Sequence, residues 1–204
     1  MLATAVRVQR GCRMLSSVQH GCRMLSTRPL QACILDYHAL NRHSDFEAEG
    51  GQTAFALTAA AASCLDALDA DSIKVGLVLP RFPGDFDVAR FLDKYGGRFS
   101  AVVGSDGAAG FPAEPAPLIA ACEEMGVEPW RALAVASSHV ESDYAPLLGA
   151  AKAARLFTCA LHDGDGVAAR EEQAGAKRAV KPMYEVSELG ELPLLLFTLN
   201  QELG

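Results

Sequence analysis

The feature that most constrains this chain is a repeated alternation of short apolar runs with longer segments of helical pattern. The predicted strands are 31–35, 73–79, 99–103, 133–136 and 156–161, and the predicted helices are 52–70, 84–95, 117–125, 142–154 and the end of 187–203. Short apolar runs of this kind are typical of strands that are buried on both faces, as in a parallel sheet. The alternation therefore predicts a three-layer α/β domain with helices on both faces of a parallel sheet.

The N-terminal 30 residues differ in composition from the rest of the chain. Five arginines occur there, and the first acidic residue of the sequence is Asp36; the arginines are Arg7, Arg10, Arg13, Arg23 and Arg28. An arginine-rich, serine-containing and acid-free N-terminus is typical of a mitochondrial transit peptide. The alternative is a basic, low-complexity tail without a targeting role. We expect import into the mitochondrial matrix or to the matrix side of the inner membrane.

A short repeat within this leader favours the targeting interpretation. The hexapeptide Gly-Cys-Arg-Met-Leu-Ser occurs at 11–16 and again at 21–26. Each copy is similar to the matrix peptidase pattern of arginine, any residue, a bulky apolar residue and serine. Cleavage is therefore expected after Leu15 or Leu25. The predicted organisation is a transit peptide at 1–25 and one α/β domain at 31–204, with a long polar loop at 163–181.

Charge and hydropathy exclude several classes of function. The whole chain has a formal net charge of −7, and removal of 1–25 leaves 14 basic and 25 acidic residues, a net charge of −11. Such an acidic domain is a poor direct partner for nucleic acid, because phosphates repel it. No apolar stretch of ~18 residues is present, so no transmembrane segment is predicted. The four cysteines beyond the leader form no CxxC pair, and we expect them to be buried and inert; they are Cys33, Cys64, Cys122 and Cys159.

Ligands of parallel α/β sheets bind at the carboxyl ends of the strands, so the residues there are the candidate site. Asp36-Tyr37-His38 follows the first predicted strand, Pro80-Arg81 the second, and Ser137 lies at the end of the fourth. This arrangement resembles that of the haloacid dehalogenase (HAD) superfamily, and in particular phosphoglycolate-phosphatase-like members. The resemblance is strongest over 115–151, and the segment MYEVSELGELPLLL is similar to that family's closing strand and helix.

The resemblance implies a Rossmann-like, HAD-like fold and a phosphatase chemistry. In that family a strand-end aspartate attacks phosphorus. A second aspartate two residues later is the acid/base group, a hydroxyl and a lysine or arginine hold the phosphoryl oxygens, and acids after the fourth strand bind Mg²⁺. Only 43 positions separate Asp36 from Leu79 at the end of the second predicted strand, which leaves no room for a large cap domain, so we expect a capless protein.

Carried over residue by residue, the motifs are degenerate. Asp36 occupies the nucleophile position, but His38 replaces the acid/base aspartate. The hydroxyl position falls on Leu79 or Pro80, and Glu114 occupies the place of the basic residue. Ser137 replaces the aspartate of the metal turn, and the later acids align with Glu141 and Asp143, with Arg81 the nearest strand-end cation. We therefore expect Asp36, His38, Glu114, Ser137, Glu141 and Asp143 to be vestigial positions, with no bound cofactor or metal.

Three functions follow from these observations. The first is a catalytically inactive, HAD-like protein that serves as an accessory subunit of a large mitochondrial complex, with other protein subunits as partners. The respiratory chain and ATP synthase are the first candidates, and the mitochondrial ribosome is less favoured because of the negative charge. The second is an active Mg²⁺-dependent matrix phosphatase, with Asp36 as nucleophile, His38 as acid/base and Asp36, Glu141 and Asp143 at the metal. The third is a module that binds a phosphorylated ligand without hydrolysing it.

An apolar run near the C-terminus supplies candidate docking contacts. Residues 192–199 are almost entirely apolar, and Trp130 and Phe111 are further candidates. For 194–197 we expect the opposite, namely that these residues complete the protein's own core.

Overall fold

The computed structural model describes residues 29–40, 57–79, 88–104, 114–137, 144–162 and 180–203. The leader at 1–25 and nearly all of the polar loop predicted at 163–181 lie outside these ranges. The strands are β1 Ala32–Asp36, β2 Lys74–Leu79, β3 Ala101–Gly104, β4 Ala132–Ser137, β5 Phe157–Leu161 and β6 Tyr184–Val186. The helices are α1 Tyr37–Leu40, α2 Ala59–Ala70, α3 Val88–Tyr95, α4 Ala116–Glu124, α5 Tyr144–Ala153 and α6 Leu192–Leu203.

The six described strands form one sheet in the order β3-β2-β1-β4-β5-β6, and every neighbouring pair is parallel. Side chains of β1 alternate between two apolar layers. Cys33 and Leu35 contact the layer formed with α2, α3 and α6, whereas Ile34 contacts the layer formed with α4 and α5. The predicted three-layer, Rossmann-like α/β fold is confirmed. Because β1 is central, the residue that follows its apolar run lies in the middle of the sheet's carboxyl edge.

Local signals in the sequence account for the ends of two helices. Thr58 caps α2, because its hydroxyl oxygen accepts a hydrogen bond from the N–H of Ala61 at 3.1 Å. Helix α4 is followed by Gly126, whose φ of +63° belongs to the left-handed region that favours glycine. The helix predicted at 117–125 therefore ends just before this glycine.

No helix is predicted at 37–40 from the sequence, but these residues form the short helix α1, in which Tyr37, Ala39 and Leu40 are buried. One prediction from the sequence is wrong in part. Residues 194–197 were expected to complete the core. Leu195 and Leu196 do so, but Leu194 is 51% exposed and Phe197 is 55% exposed. A helix with apolar residues on every side must direct some of them to solvent when only one face meets the sheet.

No cap domain is present among the described residues after β1 or after β2. The described segment between these strands consists of α1 and α2, and α2 packs on the sheet as part of the core. The expected capless architecture therefore agrees with the described part of the chain.

Candidate functional site

Asp36 lies at the carboxyl end of the first strand, as predicted, and this strand is central in the sheet. It is the last residue of β1, and its side chain is buried, with 1% of the residue exposed. The neighbouring strand β4 ends at Ser137, which is also buried. In the register of β1 with β4, Leu35 is opposite Val135, so Asp36 and Ser137 reach the same edge of the sheet. The structure thus brings together two of the predicted positions.

The carboxylate of Asp36 accepts its hydrogen bonds from the main chain. Oδ2 accepts the N–H of Ser137, and Oδ1 accepts the N–H of Ala39 at 2.6 Å. The N–H of His38 also bonds to this carboxylate. Asp36 therefore caps the first turn of α1 and ties that turn to the end of β4, which is a structural use of the side chain.

Burial decides the protonation behaviour of this carboxyl group. Loss of solvent raises the pKa of Asp36 to about 6, although the hydrogen bonds from Ser137, Ala39 and His38 each lower it. The order of these effects shows that desolvation of the charge outweighs three favourable main-chain dipoles. An ionised Asp36 is consequently costly in this environment.

His38 is positioned by α1, two residues after Asp36. Its imidazole is half-buried and lies edge-to-face against the ring of Tyr37, with 5.7 Å between ring centroids. Tyr37 in turn packs edge-to-face on Phe91 of α3 at 5.4 Å. An aromatic cluster thus fixes the turn that carries His38, which places the imidazole near the carboxyl edge. Its assignment to the acid/base position stays a prediction.

The remaining predicted positions lie partly within and partly outside the described residues. Glu114 is exposed and comes shortly before α4. Glu141, Asp143 and Arg81 lie outside the described residues. Helix α4 follows β3 and leads back to β4, so its start, and with it Glu114, faces the carboxyl edge of the sheet. The predicted equivalence of Glu114 to the family's basic residue stays a prediction.

The described donors near Asp36 offer few oxygen ligands for a magnesium ion, and the other predicted ligands, Glu141 and Asp143, lie outside the described residues. Magnesium takes oxygen ligands in octahedral geometry, usually including carboxylates. Here the oxygens of Asp36 accept main-chain N–H groups, and Ser137 supplies no carboxylate. Within the described ranges, no three His, Cys, Asp or Glu side chains come together as a metal-ligand set.

The basic side chains that the structure describes lie at the other edge of the sheet. Each of them either precedes or begins a strand, or belongs to the last turn of a helix that runs back towards the strand starts; they are Lys74, Lys94, Arg98, Arg131, Lys152, Arg155 and Lys181. Because all paired strands are parallel, these positions are a full strand length from Asp36. None of these seven side chains is placed to neutralise a phosphate at the carboxyl edge; Arg90 belongs to α3, which follows β2, and Arg81 lies outside the described residues.

One polar residue at the carboxyl edge was missed by the sequence reasoning. His162 directly follows β5 and is 8% exposed. Its N–H donates to the carbonyl oxygen of Val186, and its Nε2 is 3.5 Å from Oε2 of Glu185. The signal was present in the sequence, because a histidine after an apolar strand occupies the same kind of position as Asp36.

The thiols beyond the leader behave as buried apolar groups, as predicted. Cys33, Cys64, Cys122 and Cys159 are all free and buried. Burial raises the pKa of Cys64 and of Cys159 to about 12, and the pKa of Cys122 to about 11. A thiol that keeps its proton at neutral pH is a poor nucleophile and a poor metal ligand.

Comparison with solved structures identifies the architecture. A HAD-superfamily hydrolase from Ehrlichia chaffeensis superposes with a TM-score of 0.54 at 12% identity, covering 85% of this chain and 99% of that one. The cobalt-bound deoxy-D-mannose-octulosonate 8-phosphate phosphatase of Haemophilus influenzae superposes with a TM-score of 0.55 at 12% identity, covering 88% of this chain and 92% of that one. This chain has the HAD fold.

Sequence comparisons add no closer relative. No protein-family profile matches the chain, and no curated protein matches it. At 12% identity the structural likeness establishes the fold, while catalytic residues and substrates have to be argued from the site itself. In the part of the chain that the structure describes, no helix combines the length and apolar character needed to cross a bilayer.

Proposed function

We propose that this HAD-fold chain is catalytically inactive and acts as an accessory subunit of a large mitochondrial complex. The observation that carries the assignment as catalytically inactive is the burial and hydrogen bonding of Asp36. The side chain is almost completely buried, and both of its oxygens accept main-chain hydrogen bonds. A nucleophile needs an accessible lone pair that points at the substrate, and this carboxylate instead holds α1 against β4.

Electrostatics at the carboxyl edge support the same conclusion. A phosphate monoester carries negative charge that develops further during transfer and requires cations or metal ions around it. Seven described cationic side chains lie at the opposite edge, and Glu114 faces this one. These described charges disfavour the substrate that an active HAD phosphatase would bind.

The second half of the proposal rests on the leader and on the lack of a cap domain among the described residues. The acid-free, arginine-rich leader with two peptidase-like repeats supports import into mitochondria. A site without a cap is open to large surfaces and does not exclude water, which favours a role in protein contacts over small-molecule chemistry. We place the chain with a respiratory-chain complex or ATP synthase before the mitochondrial ribosome, because a net charge of −11 without 1–25 disfavours contact with RNA.

The alternative function is a Mg²⁺-dependent matrix phosphatase. The fold favours it, since the Haemophilus influenzae structure of the same architecture is a phosphatase. It would require Asp36 to leave its main-chain partners and attack phosphorus, His38 to protonate the leaving group, and Glu141 or Asp143 to hold the metal.

An activity assay separates the two functions. Purified protein with Mg²⁺ and a generic aryl phosphate is expected to release phosphate no faster than Asp36→Asn does, because the buried Asp36 is not accessible as a nucleophile. Asp66→Asn is the matched control, since Asp66 is an exposed aspartate on α2. A clear rate in the wild type and in Asp66→Asn that disappears in Asp36→Asn would establish the phosphatase and refute the inactive assignment.

Native electrophoresis of mitochondria tests the subunit assignment. The chain is expected to migrate with a large complex and to co-purify with its other subunits, and its N-terminus is expected to begin after Leu15 or Leu25. Migration as a free single chain would contradict the subunit role. An N-terminus at Met1 would contradict processing, although import can occur without it.

A further inference from the structure

The outward face of α6 is an exposed apolar surface. Leu194 and Phe197 are three residues apart, so they lie on the same side of the helix, and both are more than half exposed. The hydroxyl of Thr198 donates to the carbonyl oxygen of Leu194 at 2.8 Å, so this neighbouring polar group is satisfied within the helix. The opposite face, which includes Leu195 and Leu199, is buried in the core. We call the Leu194–Phe197–Thr198 side of the helix the α6 face.

Acidic residues accompany the α6 face. Between 182 and 204 the sequence contains four glutamates and no lysine or arginine; the glutamates are Glu185, Glu188, Glu191 and Glu202. Glu188 and Glu202 are exposed, one shortly before α6 and one near its end. The carboxylate of Glu191 accepts the N–H of Ser187 at 2.8 Å and thereby fixes the turn before the helix. A segment that covers this surface should therefore combine apolar and positively charged residues.

The N-terminal chain enters the fold beside this face. The N–H of Leu30 donates to Oδ1 of Asn200 at 2.5 Å, and Nδ2 of Asn200 donates to the carbonyl oxygen of Leu30 at 3.1 Å. Asn200 lies on α6 three residues after Phe197, which corresponds to ~4.5 Å along the helix axis. The residues that precede Pro29 thus begin within one helical turn of the exposed phenylalanine.

The preceding segment has the complementary composition. Its five arginines are accompanied by no acid, and both copies of the repeat place methionine and leucine directly after an arginine. The second copy ends at Ser26, and only Thr27 and Arg28 separate it from Pro29. Extended chain spans up to ~3.5 Å per residue, so 21–26 can reach both Phe197 and Leu194. Tethering also gives the segment a millimolar effective concentration at the surface.

We propose that, in the uncleaved chain, the N-terminal segment binds in cis to the α6 face. The Met-Leu pairs of the repeat cover Leu194 and Phe197, and the arginines lie near Glu188 and Glu202. Removal of the leader then uncovers an apolar, acidic surface that is available to a partner. This proposal depends on neither the catalytic state of Asp36 nor the identity of the complex.

Paramagnetic broadening in the full-length protein tests the contact. Spin labels can be attached at Cys12 and Cys22, because the other four cysteines are at most 2% exposed. The labels are expected to broaden the amide signals of 194–201 and to leave those of α4, on the other side of the sheet, unaffected. Leu194→Ser/Phe197→Ser is expected to abolish this broadening while the remaining amide spectrum is preserved, since both side chains are exposed.

Charge variants provide a second, independent readout. Glu188→Gln/Glu202→Gln is expected to weaken the docking equilibrium about fivefold, in keeping with two exposed ion pairs. Glu123→Gln/Glu124→Gln is the matched control, because this exposed acidic pair belongs to α4. Equal broadening of α4 and α6, or broadening that survives in Leu194→Ser/Phe197→Ser, would overturn the proposal. Broadening that arises only between labelled and unlabelled molecules would also overturn it, in favour of a second copy as the occupant.

Discussion

Replacement of Asp36 by alanine is expected to lower the free energy of unfolding by about 2–4 kcal/mol at pH 5, a large fraction of the stability of a domain of this size. The variant removes the cap of α1 and leaves the N–H groups of Ser137 and Ala39 without their acceptor at a buried position. Loss of a cap costs about 1 kcal/mol, and each buried donor left unpaired costs about 1–3 kcal/mol, part of which water entering the vacated space recovers. Urea denaturation followed by far-UV circular dichroism measures the difference.

The control for this measurement is Asp66→Ala. The carboxylate of Asp66 forms an exposed ion pair with Arg98 at 2.6 Å, and such pairs contribute at most about 1 kcal/mol. A larger loss in Asp36→Ala than in Asp66→Ala identifies Asp36 as a structural residue. Catalytic residues commonly sacrifice stability for function, so their replacement often stabilises a protein. A gain of stability in Asp36→Ala would therefore contradict the structural role and favour the phosphatase.

The sheet was predictable because its strands are buried on both faces. The first strand was predicted at 31–35 and is Ala32–Asp36, and the fourth was predicted at 133–136 and is Ala132–Ser137. When both faces of a strand are buried, an apolar run predicts the strand without any decision about which side chains face the core. For the same reason the position of Asp36 at the carboxyl edge followed directly from the sequence.

The helices next to the sheet required information that is not local. In α1, four residues become helical because Tyr37 packs on Phe91 and because Asp36 caps the turn. The first contact joins two separate elements, and the second depends on the burial of Asp36. In α6, the apolar run does not show which residues face solvent. The orientation is decided by contacts such as the two hydrogen bonds between Asn200 and Leu30, which are 170 residues apart.

The candidate site was likewise predictable from the sequence only in part. The resemblance to HAD phosphatases placed Asp36 and Ser137 at strand ends, and the structure brings them into hydrogen-bond contact. The resemblance did not reveal that the main-chain N–H of Ser137 donates to Asp36. This contact depends on how deeply the strand end is buried and on the path of the turn that follows it. His162 was missed since it has no counterpart in the motif, although its position after β5 was visible.

The free energy of unfolding is expected to depend strongly on pH through Asp36. Burial raises the pKa of Asp36 to about 6 from an ordinary value of 3.8. The folded state therefore holds this proton more tightly than the unfolded chain does. The contribution of Asp36 to stability is complete below about pH 4 and is lost as the pH rises through about 6. A difference of about two pKa units corresponds to about 3 kcal/mol.

The measurement compares the wild type with Asp36→Asn, a variant of nearly equal size that cannot titrate. Between pH 4 and pH 7.5 the free energy of unfolding of the wild type is expected to fall relative to the variant by about 3 kcal/mol, because the other carboxylates contribute equally to both proteins. His38→Asn is the control for the adjacent imidazole, since histidines ordinarily take up a proton in the same range. The direction of the slope is the decisive quantity. A wild type that gains stability over the variant as the pH rises would mean that ionised Asp36 has a cationic partner, which is the arrangement that an active phosphatase requires.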